Sequence, residues 1–322
     1  MRSCITIVLG LWLTSALAQE QLLPSEKKQQ TVVTEPASLY KGFFRAGVSG
    51  YFGTVDRYFD GSGNKTYFPG NIWGSTYSAQ LGFVYGITDR LQASLVVPYV
   101  WNNASQVVLF EVPSADPTKP DSVAQVPYVR KSSGLGDVSF SVKYQVLTET
   151  ARRPAVVVYV DVTVPTGEKN PTSVIDSRNF APPLGNGDFR INSGAGFRRV
   201  AYPFSYSVYV DYVYKVPGTK IHEPGEAEMS FKSSDFMDLI ASFNFHLNDW
   251  IAVQNEVAYF YYFNNGSIND QPIDFPTDLL QYTPRVSFQI KRLRLNEGVS
   301  IPLMGKNASA DISFAILVQY TF

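Results

Sequence analysis

The C-terminal end of the chain, ADISFAILVQYTF from Ala310 to Phe322, carries a large apolar side chain at every second position from Ile312 onward. The side chains between them are smaller and mostly polar, as Ser313 and Gln319 illustrate. Because successive side chains of a β-strand point to opposite faces, this period of two indicates a strand with one apolar and one largely polar face. Any fold assigned to the chain has to accommodate such a strand.

The same alternation recurs along the whole chain. It is clearest in Asp137–Leu147, Phe204–Lys215 and Leu279–Ile290, where apolar and polar side chains take turns. Further strands are predicted for residues 41–53, 75–87, 91–101, 154–164, 187–198, 236–247, 250–261, 293–303 and 310–322. The total is about twelve, an even number, as single-chain bacterial membrane barrels require.

The connections between the predicted strands alternate in length. Short connections fall at residues 88–90, 148–153, 199–203, 248–249 and 291–292. Long ones fall near residues 57–74, 102–134, 166–186, 216–233 and 262–277, and they hold many of the Gly, Pro, Asn and Asp residues. This matches the short periplasmic turns and long extracellular loops of a barrel whose two termini are both periplasmic. The last outer connection, near Gly305–Ser309, is the exception because it is short.

Composition separates the remaining fold classes. The chain is 45% hydrophobic and 14% aromatic with a net charge of -1, and its basic residues are scattered, which argues against a nucleic-acid partner. A soluble β-sandwich would turn its apolar side chains inward, whereas here aromatic residues gather at strand ends, as in membrane-interface girdles. We therefore predict an all-β fold: a transmembrane antiparallel up-and-down β-barrel of about twelve strands in the Gram-negative outer membrane.

The N-terminus has the features of a secretory signal peptide, predicted for residues 1–18. Arg2 supplies a positive charge, Ile5–Leu13 form a short apolar run, and Ala16-Leu17-Ala18 is a cleavage site for a signal peptidase. The single cysteine, Cys4, lies inside this peptide. The mature chain is therefore predicted to contain no thiol, disulfide or cysteine metal site.

Two further segments complete the predicted domain organisation. Residues 19–38 form a short periplasmic segment, and residues 39–322 form the barrel, which has the lipid bilayer as its surroundings. The C-terminal aromatic residue, Phe322, resembles the assembly signal of outer-membrane barrels, which implies the outer-membrane assembly machinery as a partner.

Several short motifs, most of which contain glycine, carry a resemblance to a known family. They are Tyr58-Phe59-Asp60-Gly61, Gly86-Ile87-Thr88-Asp89-Arg90-Leu91, Val97-Pro98-Tyr99, Gly134-Leu135-Gly136-Asp137, Val164-Pro165-Thr166-Gly167 and Leu184-Gly185-Asn186-Gly187-Asp188. In this order and spacing they resemble the outer-membrane family named for the phenol meta-degradation pathway, from about residue 40 to the C-terminus. The resemblance implies a channel-like or transporter-like barrel linked to uptake of aromatic compounds. The resemblance assigns no catalytic residue to this chain.

The motifs also have a physical interpretation of their own. Glycines at the barrel rim allow tight bends, and Pro165 lacks an amide donor and so suits a strand end. Asp137 is expected to point inward just below the mouth. The three motifs around Asp137, Pro165 and Gly185 are interpreted either as rim corners needed for closure or as a vestibule site.

Strand parity predicts which charged side chains face the lumen. The candidates are Arg45, Asp137, Lys143, Asp161, Arg190, Asp211, Asp238, Glu256, Arg285 and Arg294. Because buried opposite charges must pair or stay hydrated, these residues form either a salt-bridged plug or a narrow hydrated path that screens solutes. Four aromatic side chains, Tyr51, Tyr159, Tyr209 and Phe260, are also predicted to point inward.

Three residues disturb the predicted lipid face: Asn255, Pro284 and Glu297. A charge at mid-membrane costs a few kcal/mol, on the order of 2–4. Either a β-bulge shifts the register around Glu297, or its strand is offset towards a membrane interface.

An enzymatic function finds little support among the residues. The only histidines are His222, in a Pro- and Gly-rich loop, and His246, before a periplasmic turn, and neither lies in a recognisable serine nucleophile motif. The run that begins with Asp60–Asn64 lacks the glycine at the sixth position and the distal glutamate that an EF-hand calcium loop needs. No cofactor and no metal are predicted.

The sequence thus favours a channel that passes small, aromatic or otherwise hydrophobic, molecules passively. Selection is expected at the loops 102–134 and 166–186 and along the lumenal charges. The alternative is a closed structural or adhesive barrel whose extracellular loops bind a partner. A membrane-embedded hydrolase that depends on His246 is a more distant one.

Overall fold

The computed structural model describes residues 37–68, 73–112, 122–150, 152–170, 172–173, 180–181, 183–221, 227–273 and 277–322. The predicted signal peptide, most of the predicted periplasmic segment and His222 lie outside these residues. Among the described residues there is no helix with the length and hydropathy of a membrane span.

Twelve antiparallel strands close into one barrel, in which each strand pairs with the next along the chain and the last pairs with the first. They are β1 (Phe44–Val55), β2 (Trp73–Gly86), β3 (Leu91–Val112), β4 (Val138–Leu147), β5 (Ala155–Val164), β6 (Arg190–Ala201), β7 (Phe204–Lys215), β8 (Phe236–His246), β9 (Ile251–Tyr262), β10 (Thr277–Ile290), β11 (Leu293–Lys306) and β12 (Ser313–Thr321). Each corresponds to one predicted strand, so the predicted fold class is confirmed.

Burial along the strands is inverted relative to a soluble protein. In β8 the buried side chains include Asp238 and Asn244, whereas the apolar neighbours Leu239 and Phe243 are exposed. An exposed apolar surface around a polar interior is stable only when hydrocarbon surrounds it, which is the arrangement of an outer-membrane barrel. The chain is therefore a multi-pass β-barrel of the Gram-negative outer membrane.

The segment 102–134 is not the loop that the sequence predicted. Strand β3 continues to Val112, and a further strand, Ser122–Leu135, pairs with its upper half to form a two-stranded ribbon. Only the lower half of β3 pairs with β4. A ribbon that rises above the membrane needs no lipid-facing side, so the alternation that reveals the barrel strands is not required there.

Smaller sheets cover the long-loop end. One has three strands, Arg57–Phe59, Lys65–Tyr67 and Ala308–Ser309. Another has four: Gly218–Lys220, Met229–Lys232, Gly266–Ile268 and Gln271–Ile273. The strands Thr172–Ser173 and Phe180–Ala181 form a separate pair.

The interior holds one large apolar cluster. Strands β5 and β7–β10 supply most of it, and the segments around Phe59 and Ala308–Ala310 supply the rest; its members are Phe59, Val157, Tyr159, Tyr209, Val213, Phe236, Ile240, Ala258, Phe260, Leu279, Ala308 and Ala310. Two wall glycines make room for the tyrosines: a Cβ at Gly196 would lie 2.2 Å from the Tyr209 ring, and one at Gly194 would lie 2.6 Å from that of Tyr159. The opposite wall, β1–β4, carries smaller polar side chains such as Ser78 and Ser94. The described residues of β1–β4 contribute nothing to the apolar cluster.

The short-turn end of the barrel is entered by residues that precede β1. Ser38 and Leu39 are fully buried, and the Leu39 amide donates to Oε1 of Gln92 on the inner wall over 2.8 Å. A Cβ at Gly86 would lie only 1.9 Å from the carbonyl oxygen of Tyr40. The lead-in to β1 therefore lies against the inner ends of β2 and β3.

The polar residues on the lipid face are accommodated without a register shift at Glu297. The bulge in the β10–β11 pair lies instead between Leu280 and Gln281, so the proposed bulge around Glu297 is wrong. Asn255 lies opposite Pro284, and its Oδ1 accepts a hydrogen bond of 2.6 Å from the Tyr282 hydroxyl. Glu297 is the fifth residue of β11, within about 13 Å of the short turn along the strand. That its strand is offset towards a membrane interface stays a prediction.

Gly196→Ala is predicted to destabilise the barrel, because the new methyl group overlaps the Tyr209 ring. The expected loss in the free energy of unfolding is about 1–3 kcal/mol, as for other overpacked cores. Urea unfolding in lipid vesicles, followed by tryptophan fluorescence, measures it. Gly50→Ala is the matched control, because its methyl group would meet the Ile316 side chain at 3.2 Å and no aromatic ring. Equal unfolding midpoints for the two variants would contradict the packing of Tyr209 on Gly196.

Candidate functional site

The segment between β5 and β6 folds inward at the mouth of the barrel. Its residues Pro183–Asn186 lie against inner-wall side chains of β2 and β3. The Asn102 side-chain amide of β3 donates to the Pro183 carbonyl over 3.4 Å. Gly134 leaves space for the segment, since a Cβ there would lie 2.6 Å from Cδ1 of Leu184. The segment therefore narrows the lumen from the long-loop end.

Asp137 holds both limbs of this inward segment. One carboxylate oxygen accepts the amide of Gly167 over 3.1 Å, and the other accepts the amide of Asn186 over 2.9 Å. The two limbs also bond to each other, because the amides of Leu184 and Gly185 both donate to the Glu168 carbonyl. One carboxylate thus ties the start and the end of the segment to the beginning of β4.

Thr166 adds a second tie. Its hydroxyl donates to the Gly136 carbonyl over 2.9 Å and accepts the amide of Val138 over 3.0 Å. Close packing requires glycine beside Asp137, since a Cβ at Gly185 would lie 2.3 Å from Oδ1 of Asp137. We call Asp137, Thr166, Gly167, Gly185 and Asn186 the loop latch. Three separate glycine motifs of the sequence meet in it.

The electrostatics of the latch balance desolvation against hydrogen bonding. Burial is the largest influence and raises the pKa of Asp137, while the amides of Asn186 and Gly167 and the Arg190 guanidinium lower it. Nη2 of Arg190 lies 3.9 Å from Oδ2 of Asp137, and Nε of Arg190 lies 3.6 Å from Oδ1 of Asp188. One guanidinium placed between two carboxylates leaves this edge of the lumen without excess positive charge.

A cavity of about 100 Å³ lies beneath the inward segment. Its outer side is the β1–β4 wall and its inner side is the inward segment. The lining residues are Tyr51, Thr76, Ser78, Gln80, Val96, Pro98, Val100, Asn102, Gly136, Asp137, Ser139, Pro183, Leu184, Gly185, Asn186 and Arg190. The lining combines apolar surface with a few hydrogen-bonding groups, as small-molecule sites do.

The ten charged residues predicted from parity lie on the inner side of the wall or at the rim. Eight are less than a tenth exposed: Arg45, Lys143, Asp161, Arg190, Asp211, Asp238, Glu256 and Arg294. Asp137 and Arg285 are partly exposed. Only Asp137 and Arg190 line the cavity. That these ten residues line a permeation path stays a prediction.

The charged residues fall into separate groups inside the barrel. Arg285 and Glu256 form an ion pair of 2.8 Å. Asp161 accepts a hydrogen bond from Asn192, and Asp211 lies directly opposite Asp238. Lower down, Lys143 lies within electrostatic reach of Arg45, Arg198 and Asp161. The lower lumen therefore gathers cations, and the middle gathers carboxylates.

Several interior residues escaped the sequence analysis. Arg198 lies on the inner face and pairs with Glu149 over 3.8 Å, and Lys215 donates its amide to Asp235 at the upper rim. Arg198 shares the parity of Arg190, so strand period alone could have found it. The uncharged cavity residues Ser78 and Gln80 offered no comparable signal, because many inward side chains of these strands are polar.

His246 has a serine partner that the sequence did not indicate. The Ser205 hydroxyl lies 2.9 Å from Nε2 of His246 and accepts a hydrogen bond from Asn244 over 3.0 Å. Nδ1 of His246 has no hydrogen-bond partner within the described part of the chain. A serine hydrolase needs a group on that nitrogen to orient the ring, and both side chains here are enclosed, at 1% and 2% exposure. The geometry of the Ser205–His246 pair is therefore that of a structural hydrogen bond and not that of a catalytic triad.

Comparison with solved structures supports the fold. An outer-membrane channel from Pseudomonas putida F1 superposes with a TM-score of 0.65 at 12% identity, covering 93% of this chain and 100% of that one. The transport unit of the autotransporter AIDA-I from Escherichia coli gives a TM-score of 0.50 at 10% identity, covering 96% of each chain. The toluene transporter TbuX from Ralstonia pickettii gives 0.42 at 11% identity over 88% of this chain and 90% of that one, which is too low to carry an argument. At these identities the likeness concerns the fold alone.

Comparison at the level of sequence identifies the family. Curated protein sequences gave no match to the chain. The family model described as "Putative MetA-pathway of phenol degradation" matches residues 85–271, which is more than half of the chain and spans the whole loop latch. The family predicted from the glycine motifs is therefore confirmed, and the chain belongs to the family "Putative MetA-pathway of phenol degradation".

Proposed function

We propose that the protein is a non-enzymatic outer-membrane channel through which small aromatic or otherwise hydrophobic molecules pass by diffusion. One observation carries the proposal: the inward segment narrows the lumen without filling it. It leaves a cavity of about 100 Å³ against the β1–β4 wall. A space of that size is of the order of one aromatic ring, since an engineered apolar cavity of about 150 Å³ binds benzene. Membership of the phenol-degradation family agrees with this substrate class.

The proposed path runs along the unpacked side of the barrel. From the cavity it follows the small polar side chains of β2–β4 towards Lys143 and ends near Arg45 and the lead-in residue Leu39. The tyrosine-filled side, β5–β10, is excluded from the path by its packing. Asp211 and Asp238 therefore lie outside the proposed path, on the filled side, although strand parity had grouped them with the path.

Barrel assembly is proposed to depend on the C-terminal residue. Phe322 is 57% exposed on the outer surface, where its ring lies 5.7 Å from that of Phe44 and 4.8 Å from that of Tyr320. An exposed aromatic ring at this rim offers a surface that assembly machinery can bind.

The competing function is a closed adhesive barrel whose outer sheets bind a partner. Single-channel recording of the refolded chain in a planar bilayer separates the two. The channel should give discrete current steps, and benzyl alcohol added to the long-loop side should interrupt them. A barrel that is folded, as judged by heat-modifiable electrophoretic mobility, yet gives no steps would favour the adhesive function.

Asp137→Ala is predicted to release the inward segment. The change leaves two backbone amides, of Gly167 and Asn186, without their acceptor. Each such loss costs about 1–3 kcal/mol, so the displaced population should rise by about tenfold or more. The measurement is the fraction of time that single channels spend at a higher conductance level.

Asp60→Ala is the matched control for this variant. Asp60 also accepts two backbone amides, of Ser62 and Asn64 at 2.8 Å each, but in an exposed turn away from the latch. Its removal should leave the conductance unchanged. Equal records for Asp137→Ala and the parent chain would mean that the latch does not limit passage.

Gly185→Ala is predicted to reproduce the effect of Asp137→Ala, because its methyl group would overlap the Asp137 carboxylate. Both changes break the same contact. The gain in conductance of the double variant should therefore be no more than about twofold larger than the gain of either single variant. Gly61→Ala serves as control, with its nearest atom on Asn307 at an ordinary 3.5 Å. Fully additive gains would show that Gly185 and Asp137 act on different elements.

A further inference from the structure

The exposed charges of the barrel are distributed unequally between its two ends. Within the described residues, those at the short-turn end are six cations and two carboxylate side chains: Lys41, Arg90, Arg152, Arg153, Lys291 and Arg292 against Asp89 and Asp249. Those at the long-loop end balance, with three of each sign: Lys65, Lys131 and Lys306 against Glu168, Glu228 and Asp270. We call the six cations of the short-turn end the basic rim. The rim gives that end an excess of positive charge that the other end lacks.

The basic rim forms a continuous arc. Its members lie in the β10–β11 turn, the lead-in to β1, the β2–β3 turn and the β4–β5 turn, which follow one another around the barrel. The strand β12 joins the first two, because the amide of Thr321 donates to the Arg292 carbonyl over 3.0 Å. Asp89 lies within the arc and accepts the amide of Lys41 over 3.2 Å, whereas Asp249 lies in the β8–β9 turn outside it. The arc therefore holds six exposed cations and one exposed carboxylate side chain.

The rim cations are not neutralised by the protein itself. In the part of the chain that the structure describes, no rim side chain forms an ion pair with a carboxylate. Glu149 lies in the same turn as Arg152 and Arg153, but it is buried and its ion pair is with Arg198. The charge of the rim is therefore available to a partner outside the chain.

The rim borders the lipid-facing band directly. The two-residue turn Lys291–Arg292 stands between Ile290 and Leu293, whose apolar side chains are 65% and 44% exposed. Because a strand advances about 3.4 Å per residue, the basic side chains begin one residue beyond the apolar band. The Gln289 side-chain amide fixes the turn from the lumen by donating to the Lys291 carbonyl over 3.0 Å. This pair of cations thus lies at head-group depth and not in a loop that projects from the membrane.

Exposed aromatic side chains lie along the same edge. Phe44 begins β1, Tyr85 lies near the end of β2, and Tyr320 lies near the end of β12. Aromatic rings gather where the bilayer meets water. Their position agrees with the depth inferred from the Lys291–Arg292 turn. Cations that follow directly on exposed apolar and aromatic surface match the two parts of a phospholipid, an anionic head group and acyl chains.

We propose that the basic rim is a binding surface for anionic phospholipids of the periplasmic leaflet, such as phosphatidylglycerol. The guanidinium groups of the rim donate to phosphate oxygens, for which the fork of an arginine is well suited, and the apolar side chains beside them contact the acyl chains. An acidic soluble protein fits this surface less well, because the turns are short and their cations border lipid. The inference goes beyond the proposed channel function and does not depend on it.

Spin-labelled lipids test the surface on the full barrel in phosphatidylcholine bilayers. Electron paramagnetic resonance measures the fraction of spin-labelled phosphatidylglycerol, and separately of spin-labelled phosphatidylcholine, whose motion the protein restricts. We expect phosphatidylglycerol to associate about fivefold more strongly at low salt, since one Lys or Arg near an anionic surface contributes about that factor. The preference should fall below about twofold at about 0.5 M salt, because surface charges are then screened.

A triple variant removes half of the rim: Arg90→Gln, Lys291→Gln and Arg292→Gln. It should lower the preference for phosphatidylglycerol by about threefold or more. The matched control removes the three exposed cations of the long-loop end: Lys65→Gln, Lys131→Gln and Lys306→Gln. It should change the preference by less than about twofold, because that end has no excess of positive charge. Heat-modifiable electrophoretic mobility shows that both variants are folded.

Three results would overturn the proposal: equal association of the two lipids at low salt, a preference that survives high salt, or equal effects of the rim variant and its control. The first of these, with a folded barrel, would leave a soluble periplasmic partner as the occupant of the rim. All three are distinct from a failure of the channel function, which is the absence of current steps.

Discussion

Backbone hydrogen bonding is the constraint on which this structure depends. Inside hydrocarbon no water can pair with an amide or a carbonyl, so a sheet in the membrane has to close on itself. Here β1 and β12 complete the closure, with paired residues running from Arg45 opposite Thr321 to Gly53 opposite Ser313. The alternation of the C-terminal strand follows from this closure, because each strand must present one face to lipid and the other to the lumen.

Closure also creates an interior that has to be filled or hydrated. This barrel fills one side with Tyr159 and Tyr209 lying over glycines of β6, and leaves the other side lined by small polar groups. The inward segment then lies against this polar side of the lumen. Because Asp137 joins both limbs of that segment to β4, the position of the segment in the lumen depends on a few hydrogen bonds at the rim.

The glycine motifs illustrate how local interpretation can be correct and incomplete. Each motif does lie at the rim, as the sequence indicated, and glycine is needed there for space. The motifs nevertheless act on one another: Gly185 is a glycine because Asp137, 48 positions earlier in the chain, occupies the place of its side chain. No pattern within a single motif contains that contact.

The sequence by itself determined the twelve strands, the lengths of all but β3 within a few residues, and the face of each that turns inward. These properties are local, because a period of two along the backbone is enough to assign a side chain to lipid or lumen. Only the tertiary structure decided which inward side chains meet. The pairing of Ser205 with His246, the ribbon above β3 and the cavity beside Gln80 depend on the offset between neighbouring strands and on the route of a loop. Both are set by packing between residues far apart in the chain. The period of a single strand contains no information about that packing.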